Sequence, residues 1–297
     1  MLIRYGYDIE VELFQTTTIV TAMDVHSSRR NSIVREGELQ VSQLIPVETF
    51  VDPDGNVLRR MTGDPGVLRL RIEGLFEDGG APDETNLSAE VWPVAELPSE
   101  ALPFLRGSRY CETDFLSKFA WDTFASTPNG WARVQAICDY VHRHLTFSYP
   151  AAQSTRTAGD ALKEQIGVCR DFTHLAVALC RCLNIPARYC NGYLGDIGVP
   201  ADPAPMDFNA WFEAFLGGRW YTFDARHNRP RIGRILIARG RDAADVPMIT
   251  SFRASQPRQF HRDHRRGSER QNARRLRRRA MLAPFQDEQR RTPWVLD

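Results

Sequence analysis

Gly167-Val168-Cys169-Arg170-Asp171-Phe172-Thr173-His174-Leu175, continuing to Leu183, places a cysteine close behind a glycine, at the point where a helical apolar pattern begins. Leu175, Ala176, Leu179, Cys182 and Leu183 recur at three- and four-residue steps and predict a helix with one buried face. A cysteine in the first turn of a buried helix meets unpaired backbone N–H groups and the positive end of the helix dipole. Both favour the thiolate, the form that serves as nucleophile or metal ligand. Free cysteines are also common small core residues, so the stretch alone leaves both readings open.

The surrounding chain narrows the class. At 297 residues it has room for two ordinary domains or one large one. Its 42% hydrophobic and 25% charged content is that of a soluble globular protein. No apolar run approaches a membrane span, and Met1 to Glu10 alternates like a strand rather than forming the apolar centre of a signal peptide. A cytoplasmic location without membrane contact is the expectation. The six cysteines (111, 138, 169, 180, 182, 190) are then reduced thiols, and with no C-x-x-C pair they predict no structural zinc. The net charge of +1 hides an asymmetry. Residues 253–297 hold 13 arginines against 5 acidic residues, whereas the remainder holds 25 basic against 32 acidic. An acidic body with a basic tail marks residues 253–297 as a separate unit.

Residues 1–105 read as a β-rich domain. Tyr5–Phe14 alternates, Thr16–Thr21 is β-branched, and Gln40–Val47 and Val67–Ile72 are further strand candidates separated by Asp-Pro-Gly-type turns. Prolines at 82, 93, 98 and 103 punctuate an irregular connection. From about Ser108 helical periodicity takes over. Leu116, Phe119, Ala120 and Phe124 make one stripe, and Trp131, Val134, Ile137, Cys138, Val141 and Leu145 make a second beyond Pro128-Asn-Gly130. His142 and His144, near the end of that second helix, read as surface or boundary residues. Ser154-Thr-Arg-Thr157 is positioned to cap a short helix over Ala158–Gln165, and Ile185–Leu194 reads as a strand.

Asp207–Leu216 and Arg219–His227 are two alternating runs flanking Gly217-Gly218, a hairpin signature. With the two glycines as the turn, Leu216 pairs with Arg219, Trp211 sits opposite Asp224, and Asn209 lies diagonal to Asp224 on one face. His227 falls on the other face if the strand runs straight.

Four blocks in this order, Gly-Val-Cys-Arg-Asp-Phe-x-His-Leu, Ile-Pro-Ala-Arg-Tyr-x-x-Gly-Tyr, Asp-Phe-x-Ala-Trp-x-Glu and Trp-x-x-Phe-Asp, resemble the bacterial transglutaminase-like superfamily. The resemblance covers roughly residues 108–252, and the first part is similar to the amino-terminal domain often fused to that core. It implies an α+β fold: a papain-like core over 106–252, with a helix-start cysteine on an antiparallel sheet, preceded by the β-rich domain 1–105. It further implies a cysteine nucleophile at Cys169, a histidine that takes its proton, and an orienting carboxylate at Asp224. The implied substrate is a peptide or protein, whose amide is hydrolysed or transferred to an amine.

At the histidine position this chain has Asn209. An amide neither accepts nor returns a proton near neutral pH, so it is no general base and no acid for a leaving amine. His174 lies five residues beyond Cys169, about 140° round the helix, and reads as a buried, hydrogen-bonded residue. His227 becomes a substitute base only if its strand ends or bulges after Asp224. Two readings of the core follow, a thiol amidohydrolase or acyltransferase with a rearranged base, and a non-catalytic peptide-binding member of the same fold. The arginine run between Arg262 and Arg279 suits phosphate contacts with nucleic acid, or is a solvated extension. A third origin for the tail is an altered reading frame, since β structure is expected beyond Ser251-Phe252. No calcium loop or nucleotide-binding loop is present, and no cofactor is implied.

Overall fold

The computed structural model describes residues 1–200, 208–253 and 278–279. The first part carries β1 (Leu2–Leu13), β2 (Thr17–Thr21), β3 (Ile33–Arg35), β4 (Gln40–Val41), β5 (Val47–Val51), β6 (Val57–Gly63) and β7 (Gly66–Glu77). Then come α1 (Thr113–Phe124), α2 (Trp131–His144), β8 (Thr146–Phe147), α3 (Ala158–Glu164), β9 (Ile166–Gly167) and α4 (Cys169–Cys182). The remaining elements are β10 (Ala187–Leu194), β11 (Asn209–Leu216), β12 (Arg219–Phe223), β13 (Arg234–Gly240), β14 (Ile249–Arg253) and β15 (Arg278–Arg279). The fold is α+β, as the family resemblance implies.

Strict alternation organises the first part. Ile3, Tyr5, Tyr7, Ile9, Val11 and Leu13 of β1 are buried, as are Leu68, Leu70, Ile72 and Phe76 of β7. The two strands pair antiparallel from Leu2↔Glu77 to Leu13↔Gly66, so their apolar faces coincide. One sheet runs β15-β1-β7-β3, with β4 also on β7, and a second runs β14-β2-β6-β5. The single strand expected over Gln40–Val47 is two strands in two sheets, because β4 pairs with β7 and β5 with β6. Pro46, which has no N–H for a ladder, sits in the crossing between them. The last strand of the body also departs from sequential order. β14 pairs with β2 from Ile249↔Thr21 to Arg253↔Thr17, so this segment joins a sheet of the first part.

The second part is a four-stranded antiparallel sheet, β12-β11-β10-β13, with α4 packed on one face. Leu116, Ala120 and Phe124 of α1 and Val134, Ile137 and Val141 of α2 close over α4 on its outer side. Gly217 (φ 55°) and Gly218 (φ 84°) form the hairpin turn with Leu216 opposite Arg219, the predicted register. A second apolar cluster joins the parts, bringing Tyr189, Tyr193, Ile235 and Ile237 against the buried face of β1.

Every residue of α4 from Asp171 to Cys182 is buried, so its far end, and the part of its start away from the half-exposed Cys169, must satisfy their backbone within the protein. At the start, Asp171 accepts the Val168 N–H at 2.9 Å and also receives Arg156 and Arg170 at 3.3 and 3.1 Å. A Cβ on Gly167 would lie 2.6 Å from Asp171 Cβ, and this close approach requires the glycine before the helix. At the far end the buried Arg181 donates to the carbonyls of Ala187, Arg106 and Arg241. Thr157 caps α3 by accepting the Asp160 N–H at 3.1 Å. Among the described residues no helix is long and apolar enough to cross a membrane.

Leu179 has no exposed surface at the centre of this arrangement. Leu179→Ala should lower the unfolding free energy by ~2–5 kcal/mol, read as a drop in the urea midpoint with the slope unchanged.

Candidate active site

Cys169 is the first residue of α4, partly exposed and set against the second apolar cluster. Its Sγ lies 3.9 Å from the carbonyl oxygen of Phe208, the residue immediately before Asn209. The helix start thus brings the sulfur to the strand that carries the position where the family pattern has histidine. Burial pushes the thiol of Cys182 up to about 11 and that of Cys111 up to about 12, while Cys138, Cys180 and Cys190 are fully buried and also raised. Cys169 is the one cysteine that combines a helix N-terminus with solvent access.

β12 ends at Phe223, one step short of a Trp211–Asp224 pair. The chain turns there because Asp224 captures it. Asp224 Oδ1 accepts the N–H groups of Arg226 and His227 at 3.0 and 2.9 Å, and its own carbonyl accepts Asn228 N–H at 2.8 Å. The turn is fastened to α2 by His142 Nδ1–H, which donates to the Arg226 carbonyl at 2.8 Å, and by Asn228 Nδ2, which donates to Asp139 at 2.8 Å. His227 is thereby brought back beside Asp224, and its Nδ1–H donates to Asp224 Oδ2 at 2.9 Å. In the neutral ring that bond leaves Nε2 as the acceptor nitrogen.

Asp224 is buried, which alone would raise its carboxyl. The adjacent Arg234 guanidinium and the His227 hydrogen bond outweigh that and hold it well below the usual carboxylate range. Arg234 Nη2 donates to Asp224 Oδ2 at 2.9 Å, while its Nε donates to Asp83 at 2.8 Å. The diagonal relation of Asn209 to Asp224 does not become a hydrogen bond between them. Asn209 Oδ1 accepts Arg226 Nη1 at 2.9 Å, and the Arg226 guanidinium lies 3.8 Å from the centre of the Phe147 ring. Cys169 Sγ therefore lies against the backbone of the residue before Asn209, at the start of β11, and Asp224 and His227 form a hydrogen-bonded pair on the turn after β12. Arg226 links the two groups.

His174 is fully buried, stacks on Tyr110 at 5.2 Å and accepts the Ala243 N–H through Nε2 at 3.1 Å. His144 stacks on Tyr140, at the boundary expected of it. The partners of the site, Arg226, Arg234 and Asp83, were not singled out by the sequence reading. One signal was available, because Arg234 opens the run Arg-Ile-Leu-Ile and a buried arginine at the head of an apolar strand requires a carboxylate. Among the described residues no group of three or more His, Cys, Asp or Glu could hold a metal ion. The arginine-rich stretch lies outside the described residues apart from Arg278–Arg279, whose backbone pairs with Asp8 and Ile9.

Comparison with known proteins agrees with the fold. Residues 118–225 match the model of the transglutaminase-like superfamily. A candidate cysteine protease from Cytophaga hutchinsonii, known from a crystal structure, is 32% identical, with a TM-score of 0.74 over 85% of this chain and 86% of that one. The chain belongs to the transglutaminase-like superfamily. Uncharacterised proteins of Mycobacterium leprae and Mycobacterium tuberculosis H37Rv are each 32% identical, over 120 and 128 residues. Those matches cover 39% of this chain and 39% and 41% of the relatives, so the chain spans about two fifths of the curated relatives it matches.

Two measurements follow. Burial and the cations of Arg170 and Arg181 hold the folded His174 well below its ordinary value. Below about pH 6.5 the unfolded chain then binds a proton that the folded chain refuses, and stability falls as pH drops. His174→Asn should flatten that acid-side slope by up to about 1.4 kcal/mol per pH unit, measured by urea titration between neutral and mildly acidic pH. Arg234→Met leaves Asp224 buried without its main counter-ion and should cost ~3–5 kcal/mol, seen as a lowered Tm.

Proposed function

We propose that this protein carries out acyl chemistry through the Cys169 thiolate on peptide or amide carbonyls, and that Asn209 makes the departure of an amine its slow step. The carrying observation is the 3.9 Å approach of Cys169 Sγ to the backbone of Phe208, which puts an amide side chain at the next residue where the family pattern has an imidazole. The likeness to the Cytophaga hutchinsonii candidate protease supports the same reaction class.

In the first step the sulfur lone pair attacks the carbonyl carbon and forms the S–C bond of a tetrahedral intermediate. Its collapse breaks the C–N bond, and the nitrogen must gain a proton as it leaves. Asn209 has none to give. Leaving groups that depart as stable anions, such as thiolates and activated phenolates, need no such proton. Water or an amine then attacks the acyl-thioester, the S–C bond breaks to return the Cys169 thiolate, and the nucleophile's proton passes to solvent. The polypeptide is the substrate class that the fold favours, and thioesters and activated esters are the substrates on which the thiolate would turn over without an acid.

A second reading is favoured by one observation, the 2.9 Å bond from His227 Nδ1 to Asp224. It makes the His227 ring an oriented proton carrier that stands in for the missing histidine.

One set of assays separates them. The wild type should give a burst of p-nitrophenol from an activated ester and label with iodoacetamide at Cys169 faster than a free thiol. Hydrolysis of the matching amide should be slow and should rise about 100-fold or more in Asn209→His. Amide turnover that is indifferent to Asn209→His and abolished by His227→Gln would replace the first reading with the second. Labelling of Cys169 no faster than a free thiol would remove both.

A further inference from the structure

Behind the sheet face that carries Trp211 and Arg234 lies a cavity of about 190 Å³ that does not include Cys169. Its wall holds four arginines, Arg29, Arg231, Arg234 and Arg239, against three carboxylates, Asp78, Asp83 and Glu213. The carboxylates are already engaged. Asp83 accepts Arg234 Nε at 2.8 Å and Arg231 N–H at 2.9 Å, Glu213 is shared between Arg188 and Arg239, and Asp78 Oδ1 accepts Gly80 N–H at 2.8 Å.

The arginines are not fully engaged. Arg231, with a side chain 2% exposed, uses Nη2 on the Gly195 carbonyl at 2.8 Å and on Asp196 at 3.4 Å, but its buried Nε has no hydrogen-bond partner among the described residues. Arg234, with a side chain 7% exposed, has a buried Nη1 in the same condition. Arg29 lies over the Phe76 ring at 5.3 Å, and no described carboxylate pairs with it. Buried guanidinium N–H groups left unsatisfied are costly. The cavity far exceeds the ~15 Å³ that admits one water, so it can hold a four-oxygen anion with its hydration. An oxyanion would satisfy these donors with charge-assisted hydrogen bonds, which are stronger than those to water.

We propose that this cavity is a binding site for a small tetrahedral oxyanion of the phosphate or sulfate class, held by Arg231 and Arg234 and closed on the outside by Arg29. Arg234 would then divide its guanidinium between this anion, Asp83 and Asp224, which makes the site adjacent to the orienting carboxylate without being part of the thiol chemistry.

The test is titration of the whole chain with inorganic phosphate at constant ionic strength, with chloride as the control, followed by calorimetry and by the rise in Tm. Saturable binding to phosphate but not chloride is expected. Arg231→Lys, which keeps the charge and removes the Nε donor, should weaken it about tenfold or more. Because Arg231 is buried, two further variants at cavity-wall positions with fewer fixed contacts protect the test from a folding failure. Arg29→Met should weaken binding several-fold, and Asp78→Asn, which removes a competing negative charge while keeping an acceptor for Gly80, should strengthen it. Absence of phosphate-specific binding in the wild type would overturn the proposal. So would binding that is the same in Arg29→Met and Asp78→Asn as in the wild type, which would mark an adventitious ion only.

Discussion

Helix α4 is buried from Asp171 onward, and only its first residues, Cys169 and Arg170, reach solvent, so most of its unpaired end groups must find partners inside the protein. The fold answers this at both ends with charged side chains taken out of water. Asp171 pins the Val168 N–H and is itself neutralised by Arg156 and Arg170. Arg181 gathers carbonyls from three separate segments, those of Arg106, Ala187 and Arg241. The position of Cys169 follows from these ties. The first residue of a helix braced in this way cannot swing away from β11 without breaking buried charge-assisted hydrogen bonds, so the sulfur is held beside the Phe208 backbone.

A second buried carboxylate organises the other half of the site. Asp224 orders a turn with one oxygen, a histidine ring with the other, and draws a buried arginine to itself. That arrangement supplies what a general-base pair requires, a fixed tautomer and a permanent negative charge beside it. At the position where the family pattern has histidine, Asn209 accepts a hydrogen bond from Arg226, and an amide there fills the position without the proton-transfer capacity of an imidazole.

The hairpin was legible because alternation with period two and a Gly-Gly turn jointly specify register, and Leu216 does face Arg219. The buried face of α4 was legible for the same kind of reason, a repeated three- and four-residue step. The turn after Asp224 was not decided by pattern. Whether a strand stops depends there on one carboxylate oxygen accepting two backbone N–H groups, and an aspartate in sequence does not announce which donors it will meet. Arg226 and Asp83 carry no local signal of their roles, because their partners, Asn209 and Arg234, lie 17 and 151 residues away. The two-sheet split at Pro46 and the return of β14 to β2 are likewise products of long-range pairing, on which local periodicity is silent.

That return has a consequence for how the chain must assemble. β2 lies between β6 and β14, so one of its edges is paired by its near neighbour in sequence and the other by a segment more than two hundred residues later. During synthesis the first sheets can form before the thiol core exists, but they do so with β2 as a bare edge, offering Thr17–Thr21 to any strand that passes. The amino-terminal sandwich is therefore not a finished module on which the core is later hung. The β2 edge is covered only once the core has been made, and this ties the solubility of the first part to the successful folding of the second.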